Sequence, residues 1–129
     1  MASFVFNAHS GLRYLILVIG VVTALVALIG FLQKKPASSA GVTMLRIFTV
    51  LLDIQVLLGI ATLLTRPFYA QLIGHLVMMI AAVAVAHLGT TRLKKATPEA
   101  RGSGQLLTAS LVPLLLIVAG IMAIQRAIV

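Results

Sequence analysis

The chain has 129 residues, enough for one domain, and 61% of them are hydrophobic while only 9% are charged. Soluble domains carry roughly a quarter charged residues, so the composition excludes an ordinary water-soluble fold and makes lipid the solvent. The formal charge is +8, with only Asp53 and Glu99 as acids; the bases flank apolar runs and form no basic face with interleaved aromatics, which reads as topology signals and contacts to anionic lipid and argues against a nucleic-acid partner.

A membrane-spanning helix needs about 20 mostly apolar residues, because the hydrocarbon core is about 30 Å thick. The first such stretch covers residues 14–32 and holds no charge. It lacks a basic N-terminal region and three more spans follow it, so it reads as a retained helix and not as a cleaved signal. His9 and Arg13 lie just before it, one turn apart if the helix starts early. Gly20, Thr23 and Ala27 continue their face, which makes that face inward.

The second span covers 47–65 and is interrupted by Asp53 and Gln55. Arg46 and Thr49 fall on the Asp53 face, since seven residues make almost two helical turns. Arg46 is about 10 Å from Asp53 along the axis, so an extended Arg46, or Thr49 or a water between them, would link the two. Three readings of Asp53 stand: a structural polar pair, a proton-relay or ion site, and support for a haem environment. Gln55 points away from Asp53, with Gly59, Thr62 and Arg66, a small and polar stripe suited to close packing and inter-helix hydrogen bonds.

The third span covers 68–91 and the fourth 106–125. His75, Met78, Met79, Ala82, Ala86 and Gly89 share one face of the third. His87 is about 120° round from His75 and about 18 Å further along. Pro113 in the fourth removes one helical hydrogen bond and should kink it, with Thr108 or Ser110 able to bond the freed carbonyls. The links around 33–43, at Arg66-Pro67, and around 93–105 with Pro98 and Gly102-Ser103-Gly104 are short, which predicts an all-α, integral-membrane, up-down-up-down four-helix bundle.

The first and third links then share one side, with Lys34, Lys35, Arg46, Arg92, Lys94, Lys95 and Arg101. Arg13, Arg66 and Arg126 take the other. The positive-inside rule predicts cytoplasmic links and both termini outside.

Ionisable residues inside a bilayer cost a few kcal/mol and need a reason. With no cysteine present, c-type haem attachment, thiolate metal sites and iron–sulfur clusters are excluded. Neutral imidazoles on membrane helices remain as axial ligands for haem b. Interfacial or hydrogen-bonding histidines are the other reading; in the haem reading His75 and His9 are the preferred iron ligands and His87 the reserve, with Arg13 or Arg66 placed to pair with haem propionates. Counted from the cytoplasmic boundary, His9 lies about 10 Å further out than His75, an offset that tilt or stagger must absorb. His87 has no histidine partner at its depth, so one chain holds at most one bis-His haem. No nucleophile triad, phosphate loop or carboxylate pair is in register, so no catalytic residue is assigned.

His9-Ser10-Gly11-Leu12-Arg13-Tyr14, Leu52-Asp53-Ile54-Gln55 with Leu57-Leu58-Gly59, Gly74-His75 with Met78-Met79, and Ala86-His87-Leu88-Gly89 together resemble a family of small bacterial four-span membrane proteins, commonly labelled cytochrome b or uncharacterised membrane protein. The resemblance covers nearly the whole chain. It implies a cytochrome b-like electron-transfer subunit of the bacterial inner membrane, within a larger respiratory assembly or a homo-oligomer that supplies a missing ligand. A non-haem structural or accessory subunit, and a small carrier using Asp53 and His87 as a proton path, are the alternatives.

Overall fold

The computed structural model describes residues 2–65, 71–95 and 102–123. Arg66, Pro67, Phe68, Tyr69, Pro98, Glu99, Arg101, Gln125 and Arg126 lie outside them. The described residues form four long helices, α1 (Ala2–Leu32), α2 (Ser39–Thr65), α3 (Gln71–Lys95) and α4 (Ser103–Ala123). Each is long and apolar enough to cross a membrane, which makes this a multi-pass membrane protein. Helices suit that solvent because every backbone hydrogen bond closes within the segment. Side-chain hydroxyls follow the same economy. Thr23, Thr49, Thr62, Thr90 and Ser110 each donate to the carbonyl four residues earlier.

The helices overrun the expected spans. α1 begins at Ala2, well before residue 14, because Phe4, Val5 and Phe6 extend the apolar run and nothing breaks it. α2 begins at Ser39, where the Ser38 hydroxyl accepts the Gly41 amide at 3.0 Å and caps the open end. α3 runs on to Lys95, since Arg92, Lys94 and Lys95 suit the negative end of a helix dipole.

α1 packs on α2 and α4, and α3 packs on the same two. α2 and α4 touch across one diagonal, while α1 and α3 meet least on the other. Helices consecutive in sequence are therefore neighbours in a four-helix bundle. Pro36 of the first link pairs with Gly102 of the third, and the Ser103 hydroxyl donates to the Lys35 carbonyl at 2.5 Å. Both links thus lie at one end, the basic end.

The core is built from Leu45, Phe48, Leu93 and Leu106 with small residues Ala82, Ala86 and Ala109 where helices approach. Large aliphatics such as Leu25, Ile54, Leu57, Ile80 and Leu115 face outward, as lipid allows. The closest approach is α3 on α4, where a side chain on Gly89 would collide with the Ala109 methyl. Pro113 is buried inside α4. Contrary to expectation, Thr108 and Ser110 do not serve the carbonyl it frees; they bond Gly104, Leu106 and Leu107 in the preceding turn, because their hydroxyls reach only backwards along the helix.

α1 ends with Lys34 in the left-handed conformation, φ 57°, while the Lys35 amide donates to the Gly30 carbonyl at 2.9 Å. Glycine favours that position. Strain relief of about 1–2 kcal/mol less glycine's entropic cost of about 0.5–1 kcal/mol makes Lys34→Gly a stabilising change of about 0.5 kcal/mol. A raised thermal midpoint in detergent is the expected result; a lowered one contradicts it.

Candidate functional site

At the end of the bundle opposite the basic links, His9 on α1 faces His75 on α3 across the α1–α3 diagonal. Their ring centroids are 6.4 Å apart and their planes stand at 88°. The two rings therefore differ in depth by no more than 6.4 Å, and the expected 10 Å offset is corrected downward. The longer α3 explains most of the change. His75 lies 20 residues from Lys95 and His9 lies 23 from Leu32, which leaves about 4.5 Å of axial difference for tilt to take up.

Each imidazole is held by its surroundings. His75 Nδ1 lies 3.0 Å from the Gly120 carbonyl. A carbonyl only accepts, so Nδ1 carries the proton and Nε2 is the nitrogen left for a further partner. This is the orientation a metal-binding histidine takes when its other nitrogen is tied to backbone. Gly120 gives room for the arrangement: a Cβ there would run into the Met79 methyl and stand 3.5 Å from His75 Nδ1. Gly59 on α2 does the same for His9, whose Cε1 would be 3.1 Å from an added Cβ. Gln55 ties α2 to α1 by donating from Nε2 to the His9 carbonyl at 2.7 Å, an inter-helix bond of the kind its face suggested.

Arg13 is one turn from His9. Its Nη2 donates to the Tyr14 hydroxyl at 2.8 Å and its guanidinium stacks 4.8 Å over that ring. Its Nε and Gln55 Oε1 are buried without a hydrogen-bond partner among the described residues, so polar capacity remains beside the histidine pair.

A second polar group occupies the α2–α3 seam. His87 Nε2 donates to Asp53 Oδ1 at 2.7 Å, with about half of each side chain exposed, 52% and 45%. One turn toward the basic end, the Thr49 and Thr90 hydroxyls meet at 3.0 Å. The expected link from Asp53 to Arg46 through Thr49 is replaced by these two contacts. Thr49 sits on the inner side of α2 and bonds Leu45 and Thr90, whereas Arg46 is exposed. His87 is thus far from the other histidines and pairs with a carboxylate.

Thr90 and the Gly120 carbonyl carried no mark in the sequence. Thr90 lies three residues beyond His87, a spacing that shares its face, and could have been found by that rule. A backbone carbonyl has no residue signature. Among the described residues no three His, Asp or Glu side chains converge on one point, so the chain's chemistry here is that of a facing imidazole pair and a separate imidazole–carboxylate pair. In comparison with known proteins, the chain matches no family model, no curated protein and no solved structure.

Proposed function

We infer that the chain is a b-type cytochrome-like membrane subunit involved in electron transfer, with one haem b between His9 and His75. The observation that carries this reading is the 6.4 Å between imidazole centroids on opposite corners of the bundle. Two imidazoles on one iron stand about 6 Å apart, since each side contributes a metal–nitrogen bond of about 2 Å and a ring radius of about 1 Å. A metal held by protein alone would want a third ligand; a macrocycle that brings its own equatorial nitrogens needs only two.

Two features of the residues present support such a group. His75 is oriented by the Gly120 carbonyl, and Gly59 and Gly120 leave bare backbone beside the rings. Haem, when bound, supplies a one-electron couple. The chain's part would be to hold both imidazoles aligned, to set Arg13 beside the site for a carboxylate, and to exclude water with α1–α4. The resemblance to small four-span bacterial proteins supports an inner-membrane location, and the positive-inside rule supports cytoplasmic links with outer termini. Protein purified in detergent from cells supplied with a haem precursor is expected to give a reduced-minus-oxidised b-type spectrum. Colourless protein at full yield would sink the proposal and leave a structural or accessory subunit.

The His87–Asp53 contact favours a second reading, a small proton-coupled carrier in which the pair holds and passes a proton. Asp53→Asn is expected to abolish proton-coupled flux in liposomes; unchanged flux removes that reading.

A further inference from the structure

At the basic end, the outer side of the close α3–α4 contact carries an open groove of about 300 Å³, lined by Val85, Leu88, Gly89, Arg92, Gln105 and Thr108 among others. Leu88, Arg92, Gln105 and Thr108 are exposed, so the cavity opens sideways, toward lipid. Its lining is graded along the membrane normal. Val85 and Leu88 form the deep apolar part. Arg92, on the next turns of α3, and Gln105, in the first turn of α4, form the polar part at the boundary.

The tertiary structure concentrates charge around that polar part. The first link is fastened to the start of α4 by the Ser103 hydroxyl on the Lys35 carbonyl and by the Pro36–Gly102 pairing. The Lys34-Lys35 link is therefore held at the start of α4, where Gly104 lines the groove. Lys94 and Lys95 follow Arg92 on α3. Asp53, the one acid among the described residues, is paired with His87 at the α2–α3 seam and does not line the groove. The cavity thus joins an apolar slot within the bilayer to a cluster of cations at its surface.

We propose that this groove is a binding site for one anionic phospholipid, with the headgroup phosphate on Arg92 and the beginning of an acyl chain along Val85 and Leu88. The charge selects the occupant: an acidic headgroup is attracted by the clustered bases, while the tail occupies a slot that only a molecule already in the bilayer can enter. The groove is too small for a whole phospholipid, so the rest of the tails stays in the bilayer. The site does not involve His9 or His75, and its test is independent of haem.

The test is native mass spectrometry of the detergent-purified full chain titrated with phosphatidylglycerol or with phosphatidylcholine of the same acyl chains. The wild type is expected to retain phosphatidylglycerol about fivefold or more over phosphatidylcholine, the contribution of about one basic contact. Arg92→Gln is expected to bring the two lipids close to parity. Thr108→Trp fills the groove and leaves every charge in place, and is expected to lose the preference as well; unchanged helical circular dichroism confirms that each variant folds. Equal binding of both lipids by the wild type, or a preference surviving in either variant, overturns the site. So does displacement of phosphatidylglycerol by millimolar inorganic phosphate, which would make the headgroup alone the ligand.

Discussion

His75→Ala is expected to lose the b-type difference band entirely, and His9→Ala to do the same, while His87→Ala keeps it. The structure gives a different reason in each case. His75 is fixed by the Gly120 carbonyl at 3.0 Å with its Nε2 left for a metal. His9 faces it at 6.4 Å. Neutral imidazole on each side is what iron in haem b requires, and a methyl group replaces none of it. His87 is tied to Asp53 at the other seam and half exposed outward, so its loss leaves the facing pair intact. Gly120→Val sharpens the test, because it keeps every histidine. Its added carbons meet Met79, Met78 and His75, so the band should shrink or shift at normal yield. A full band in His75→Ala would end the proposal for that residue, and a lost band in His87→Ala would transfer the role.

Gly89→Val is expected to destabilise the bundle by about 3 kcal/mol, the upper part of the usual range for overpacking a closed contact. An added Cβ would overlap the Ala109 methyl and stand 3.4 Å from the Ala109 Cα, which is backbone and cannot rotate away. α3 and α4 would have to separate along a contact that also buries Ala82, Ala86 and Ile117. Membrane helices gain little from a hydrophobic effect between one another and depend on such close packing. Loss of helicity at lower dodecyl sulfate fraction, and partial recovery in Gly89→Val/Ala109→Gly, are the expected observations. A variant as resistant as wild type would show that the two helices do not need this approach.

The sequence by itself determined the solvent, the helix count and the pairing of ends. Sixty-one per cent hydrophobic residues in four long runs leave few alternatives to spanning helices, and short links leave few alternatives to antiparallel neighbours. Helix ends were less legible. Ser38 capping α2 and the run of bases closing α3 act through local hydrogen bonds and the helix dipole, which hydropathy does not register. Which polar residues belong together was decided only in three dimensions. Residues on one helix can be sorted by angle, so Arg46, Thr49 and Asp53 looked like one group. Partners on different helices depend on tilt, on each helix's true end and on its rotation about its axis. Those features set His9 facing His75, gave Asp53 to His87 and joined Thr49 to Thr90. Periodicity sees faces, and depth across a bundle is a property of how the faces are assembled.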